Sequence, residues 1–315
     1  MSPTDIHDIA VVTAGQVPEH LPMTRAVAAL EQALQDGLDP AAALPRSSVP
    51  LEKGSFLLMP GEHGGYAGVK VLTVAPGNSR RGLPKIQGNF MLFDADTLRP
   101  LALIEGTALT AIRTPAVSAL AVDHLAPAGS AALLVFGTGP QALHHVRAVA
   151  AVRALTTVTV VGRTETSTDA FVDGLRAEGH DARRGTAADV AGADIITCCT
   201  SAREPLFDGS LVRDDAVVVA MGSHEPDARE VDDELVARST VYVEDVATAL
   251  REAGDVIIGI EHGAIAAEDL HELADLVRSG PRPRTGPAFF KSVGMGWQDL
   301  VTARVVYEDL DRTDD

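Results

Sequence analysis

The stretch Ala131-Ala132-Leu133-Leu134-Val135-Phe136 is an apolar run of strand length, and Gly137-Thr138-Gly139-Pro140-Gln141-Ala142 follows it directly, ahead of a helix-compatible segment reaching Ala151. The turn has the form G-x-G-x-x-A. Its first glycine makes the tight bend, its second lets backbone N–H groups approach a pyrophosphate at a helix N-terminus, and the third place needs only a small residue, here Ala142. Such a turn is a weak signal alone. Here it stands between an apolar strand and a helix, with a second strand at Val158-Thr159-Val160-Val161, and that context specifies a dinucleotide site. Gly137, Thr138, Gly139, Pro140 and Gln141 are therefore expected against the phosphates of a cofactor.

Further along, a helical stretch at Thr168–Glu178 and strand-like runs at Asp194–Cys199, Val217–Met221 and Val241–Glu244 continue the alternation. Strands alternating with helices give an α/β fold, a Rossmann-type doubly wound parallel sheet, over residues 125–290. Upstream, Ser55–Met59, Gly68–Val74 and Phe90–Asp94 read as strands broken by turns at Pro60-Gly61 and Pro76-Gly77. Downstream, Gly280–Gly286 turns the chain into Phe289–Val293 and a helical Gln298–Val306, which rejoin the first domain. Residues 1–124 with 291–315 thus form a discontinuous α+β domain, a division that suits a chain of 315 residues. Asp311–Asp315 reads as an acidic, frayed end.

A net charge of -18 repels polyphosphate and argues against nucleic acid as a partner, so an anionic ligand must meet well-placed local cations. Apolar runs are all interrupted well short of the roughly 18 residues a membrane span needs, and MSPTDIHDIAVV lacks the basic-then-apolar order of a signal peptide. A cytoplasmic protein is expected. The two cysteines, Cys198 and Cys199, are adjacent at the end of an apolar strand and read as buried structural thiols rather than a disulfide or metal pair. His63, His144, His145, His180, His262 and His271 show no ligand spacing, so no metal is expected. Ser201 lacks the context of a nucleophile elbow. Arg229-Glu230 and Asp232-Asp233-Glu234 read as the acidic start of a helix, Asp123-His124 as a helix cap, and Trp297 as core.

Cofactor choice is made at the end of the second strand, where an Asp or Glu binds the ribose hydroxyls of NAD. This chain has Gly162-Arg163-Thr164 there. Without a carboxylate to repel a 2'-phosphate, and with a guanidinium and a hydroxyl to bind one, NADP(H) is expected over NAD(H).

Arg46, Gly68-Val69-Lys70, Thr110-Ala-Ile-Arg113-Thr-Pro-Ala116, Gly137–Gln141, Asp194–Thr197, Gly222-Ser-His-Glu-Pro-Asp-Ala-Arg-Glu230 and Phe290-Lys-Ser-Val-Gly294 occur in an order that resembles the ornithine cyclodeaminase/mu-crystallin family across nearly the whole chain. The resemblance implies a homodimer in which the first domain binds substrate and dimerises. It implies a small imino or amino acid as substrate, its carboxylate gripped by Arg46, Lys70 and Arg113. Two guanidiniums and an ammonium suit that task chemically. The cofactor contacts expected in addition to the glycine turn are Arg113, Arg163, Thr164, Thr200, Ser201, Met221, Gly222, Ser292 and Val293.

Two departures from the cyclodeaminase pattern bear on the reaction. A glutamate that in those enzymes helps hold the distal amine is matched here by Leu57, and a catalytic aspartate by His224. Their loss removes the counter-charges for a second substrate ammonium, whose unpaired burial would cost several kcal/mol. Glu225 and Asp227 stand nearby as possible substitutes. The wording Gly222-Ser-His-Glu-Pro-Asp-Ala-Arg-Glu230 is closer to the mu-crystallin-like ketimine reductase branch. The expectation is NADPH-dependent reduction of a ketimine such as pyrroline- or piperideine-2-carboxylate, with Lys70 or His224 supplying the proton. Ornithine cyclodeamination, an alanine-type dehydrogenase and a non-catalytic NADPH-binding protein are the alternatives.

Overall fold

The computed structural model describes residues 9–313; segments 1–8 and 314–315, which hold most of the N-terminal leader reading and the last two acidic residues, lie outside the described residues. The chain divides into two compact units, one of residues up to Thr114 together with Gly294 onward, the other Pro115–Val293. The division falls inside a helix rather than after it. Pro115, within that helix, lacks the N–H that would continue the hydrogen-bond ladder.

The first unit contains β1 (Ala10–Val12), α1 (Val17–His20), α2 (Met23–Gln35), β2 (Ser47–Leu51), β3 (Gly54–His63), β4 (Tyr66–Val74), β5 (Ile86–Asp94), β6 (Pro100–Glu105) and the start of α3 (Gly106–Leu125). Its six-stranded sheet has the order β1-β6-β5-β4-β3-β2, antiparallel except for the β1–β6 pair. The turn expected at Pro60-Gly61 is not there. β3 runs through it, because Pro60 lies beyond the reach of β2 and its missing N–H breaks no ladder bond. The reversal comes instead at Gly64 and Gly65, with φ of 61° and 82°, values that favour glycine.

Met59, Lys70, Phe90 and Ile104 are register partners across β3–β6 and form one buried row. Three apolar side chains and an ammonium therefore share the inner face. The next row, Pro60, Val69, Met91 and Leu103 with Val11 of β1, points the other way; its first four members are half-exposed and Val11 is exposed.

The second unit contains β7 (Ala132–Phe136), α4 (Pro140–Val152), β8 (Thr157–Val161), α5 (Glu165–Ala177), β9 (Ala182–Arg184), β10 (Ile195–Cys198), β11 (Val217–Ala220), α6 (Asp233–Arg238), β12 (Thr240–Val243), α7 (Val246–Glu252), α8 (Gly254–Glu261), β13 (His271–Glu272), α9 (Leu273–Ser279) and β14 (Ala288–Lys291). All pairings in its eight-stranded sheet, ordered β13-β12-β14-β11-β10-β7-β8-β9, are parallel. The central strands β10, β11 and β14 are buried at every residue, which is why they read as unbroken apolar runs. Order reverses between β7 and β10, so the turn after β7 sits at the switch point where open α/β sheets bind ligands. Cys198 is fully buried, whereas Cys199 is partly exposed, and both are free thiols. The chain closes with α10 (Gly296–Thr313) in the first unit.

Among the described residues no helix is long and apolar enough to cross a membrane.

Candidate active site

In the first unit, α10 begins hard against β3. A Cβ on Gly296 would lie 2.3 Å from the Pro60 carbonyl oxygen, so only glycine permits this approach. The close start carries the next residues, Gln298 and Asp299, onto the inner face of the sheet. Asp299 is fully buried, and its carboxylate oxygens lie 2.9 and 2.8 Å from Lys70 Nζ. Arg113 Nε donates to the same carboxylate at 3.2 Å, and Arg113 NH1 donates to Gln298 Oε1 at 2.8 Å. Arg46 NH2 donates to the Gly294 carbonyl at 2.7 Å, and a Cβ on Gly294 would meet Arg113 NH1 at 2.6 Å. Lys70 and Arg113 thus share the Asp299 carboxylate, while Arg46 and Arg113 meet at Gly294. Sequence reasoning missed both Asp299 and Gln298.

Burial pulls the Lys70 ammonium down from its ordinary value to about 8, with Arg113 adding to the shift and Asp299 opposing it. At neutral pH it is still mostly protonated, yet poised to give up its proton.

In the second unit, the expected cofactor residues lie at the carboxyl ends of five adjacent strands, in sheet order β14-β11-β10-β7-β8. Ser292 and Val293 follow β14, Met221 and Gly222 follow β11, Thr200 and the exposed Ser201 follow β10, Gly137–Gln141 follow β7, and the exposed Arg163 and Thr164 follow β8. Gly137 has φ 115° and a Cβ there would lie 2.5 Å from the Cys199 carbonyl, so glycine is required twice over. A Cβ on Gly139 would meet open space, and no side chain caps the helix that Gly139 begins. The terminal oxygen of the Gln141 amide is buried without a partner. An uncapped helix start with a glycine approach fits the phosphates of a dinucleotide. Thr164 caps α5, accepting from Ser167 N at 3.3 Å, so its hydroxyl is partly engaged.

His224 is exposed at the top of the loop after β11. Its neighbours Glu225 and Asp227 are paired with Arg203 at 2.6 and 2.5 Å on the surface, which commits them elsewhere as counter-charges. Glu230 does not start a helix. The cap of α6 is Asp232, accepting from Leu235 N, while Glu230 is fully buried with its carboxylate on Thr200 and Gly222. Asp123 pairs with Arg153 rather than capping its helix. Trp297 is buried, and so is His145, which bonds Gln141 O and Ser118 Oγ. Among the described residues no group of His, Cys, Asp or Glu has the arrangement to hold a metal ion.

A wholly parallel sheet with a glycine turn at its switch point, joined in one chain to a mixed-sheet unit bearing buried cations, defines a two-unit protein of the dinucleotide-binding α/β class. The model of the ornithine cyclodeaminase/mu-crystallin family matches residues 7–314, and the chain belongs to that family. It is 33% identical over 312 residues to a Delta(1)-pyrroline-2-carboxylate reductase of Colwellia psychrerythraea, covering 95% of this chain and 99% of the relative. Among solved structures it is similar to the Thermococcus litoralis Delta(1)-pyrroline-2-carboxylate reductase in complex with NADH and L-proline, with a TM-score of 0.90, 29% identity and coverage of 97% and 98%. It is also similar to an archaeal alanine dehydrogenase dimer with bound NAD, with a TM-score of 0.90, 27% identity and coverage of 98% and 97%.

Proposed function

We propose that the protein is an NADPH-dependent reductase that adds hydride to the C=N carbon of a small cyclic or open imino acid, pyrroline- or piperideine-2-carboxylate being the model substrates. The observation that carries this reading is the convergence of Lys70, Arg113 and Arg46 on Asp299 and Gly294. A carboxylate entering that cluster meets two guanidiniums able to bind it in planar fashion. Similarity to reductases named for pyrroline-2-carboxylate, one of them solved with NADH and L-proline, supports the same chemistry.

Bound NADPH supplies the hydride. The chain binds and orients the substrate carboxylate, and Lys70 donates a proton to the nitrogen as the carbon becomes C–H, so the double bond is replaced by C–H and N–H while Lys70 is left as an amine. Lys70 is favoured over the exposed His224 because it is buried among the carboxylate-binding groups with a pKa near the working range. Asp299 is already shared by Lys70 and Arg113, so it offers no partner to a second substrate ammonium, which argues against ornithine as substrate. The preference for the 2'-phosphate rests on Arg163 at the end of β8.

The protein works as a homodimer, in this reading, through the outer face of the mixed sheet. Leu58, Val69, Val71, Met91 and Leu103 stand half-exposed there, with Phe56 37% and Val11 66% exposed, an apolar sheet face that a second copy would cover.

The test is coenzyme oxidation across a panel of the two cyclic imino acids, keto acids with methylamine, and ornithine. Turnover is expected with the imino acids and no ammonia release with ornithine. NADPH binding without turnover across the panel would make the protein a binding module instead.

A further inference from the structure

The sheet edge of the second unit carries charges that neither the substrate cluster nor the phosphate turn uses. Glu230 Oε1 accepts from Thr200 N at 2.8 Å and from Thr200 Oγ1 at 2.7 Å, and Oε2 accepts from Gly222 N at 2.7 Å. Two N–H groups and a hydroxyl all face it; burial raises its pKa above the ordinary carboxylate value, and Lys291 and the Thr200 donors oppose that rise in favour of the carboxylate form. A Cβ on Gly222 would lie 2.0 Å from the Thr200 carbonyl and 2.6 Å from Glu230 Oε1, so the ends of β10 and β11 close on this carboxylate with no room to spare.

The backbone of Glu230 is pinned in turn. Glu230 N and Val231 N donate to Asp255 Oδ1 at 2.6 and 3.0 Å. Asp255 Oδ2 pairs with Lys291 Nζ at 2.6 Å, and Lys291, the last residue of β14, also donates to the Ser223 carbonyl at 2.8 Å. Next to it, Glu244 Oε1 accepts from Ser292 Oγ at 2.9 Å and Oε2 from Val293 N at 2.8 Å. Glu230, Glu244, Asp255 and Lys291 are all at most 4% exposed. Apolar packing would hold three strand ends together at lower cost than four buried charges, which points to a role in shaping the edge for a ligand.

The edge has two characters. At the start of α4 the backbone donors are uncapped, which suits phosphate. After β10, β11 and β14 the donors of Thr200, Gly222 and Val293 are consumed by carboxylates, and the formal charge of the four groups is negative. That suits a ligand portion that is neutral or becomes cationic. We propose that Glu230 and Glu244 are positioning residues for the nicotinamide end of the coenzyme, acting through the backbone they hold and through their charge, which favours the oxidised ring. The inference rests on the coenzyme reading above. A dihydronicotinamide ring is neutral and becomes a cation on losing hydride, so a negative edge stabilises the product form of the coenzyme and strengthens the bound hydride donor.

Glutamine is the informative substitution. In Glu230→Gln the new amide nitrogen must face a backbone N–H, so one bond is lost with the charge. In Glu244→Gln the amide can donate to the Ser292 hydroxyl while its oxygen accepts from Val293 N, so these two bonds survive the loss of charge. The experiment measures Kd for NADPH, NADP+ and 2',5'-ADP in the full chain by calorimetry, with the kcat and KM of imino acid reduction alongside. Both variants are expected to weaken NADP+ relative to NADPH by about tenfold, about 1.4 kcal/mol, with 2',5'-ADP affinity unchanged and kcat falling more than KM. Glu230→Asp, which keeps the charge, should restore most of the ratio. If Glu230→Gln does not fold, Glu244→Gln decides. A wild-type NADP+ to NADPH ratio in the folded variants overturns the proposal and leaves the coenzyme reading standing, whereas a wild-type protein that binds no dinucleotide overturns that reading itself.

Discussion

Lys70 Nζ and the Asp299 carboxylate meet at 2.8 and 2.9 Å in a fully buried pair that Arg113 shares at 3.2 Å. Because Asp299 holds the Lys70 pKa up while burial and Arg113 pull it down to about 8, removing the carboxylate has a defined sign. With Lys70 as proton donor, kcat/KM is full below the pKa and is lost as pH rises through about 8. Asp299→Asn should move that falling limb to lower pH and destabilise the fold by about 3–5 kcal/mol, since two buried cations lose their partner. Lys70→Met should abolish the limb, and His224→Asn should keep it. A pH–rate series with thermal unfolding of the three variants checks this; a limb that vanishes in His224→Asn would hand the proton to the imidazole.

Arg46→Ala and Arg113→Ala should each raise the KM for the imino acid by roughly 10–100-fold, since a charge-assisted hydrogen bond is worth about 1.5–3 kcal/mol. Arg113→Ala should cost stability as well, because Asp299 and Gln298 lose a buried donor. Steady-state kinetics of both variants supply the measurement, and unchanged KM values would move the carboxylate site elsewhere.

The exposed guanidinium at the end of β8 should set coenzyme choice. NADPH should bind more tightly than NADH, and Arg163→Asp should reverse the order by placing a carboxylate against the 2'-phosphate. Titration of both coenzymes by fluorescence reads this directly; equal affinities in the native protein would contradict it.

Leu58→Asp or Val69→Asp, on the half-exposed outer face of the sheet, should convert a dimer to a monomer with little change in the inner core row of Met59, Phe90 and Ile104. Sedimentation of the native chain and the two variants at matched concentration tests it. Dimers of undiminished stability in both would exclude this face as the interface.

The parallel sheet was legible because strands buried on both faces, such as Val217–Ala220, must be apolar throughout. Lys70 was legible as a cation between valines in an acidic chain. Asp299 was not: it lies 229 residues from Lys70 in sequence, and in isolation it is one more acid in the first turn of a helix. Its role depends on how closely Gly296 lets that helix approach β3, a tertiary fact. Glu230 was misread for a related reason, because in a run of acids the residue that caps α6 and the residue that turns inward look alike until the fold separates them. The strand through Pro60 was lost to a local rule that an edge position relaxes.

The fate of hydride tests the reductase reading most directly. With NADPH deuterated at the transferable position and pyrroline-2-carboxylate as substrate, the enzyme is expected to form proline carrying one deuterium on its α-carbon, with stoichiometric coenzyme oxidation. Proline without deuterium, or coenzyme bound and never oxidised in the presence of any imino acid, would contradict that reading.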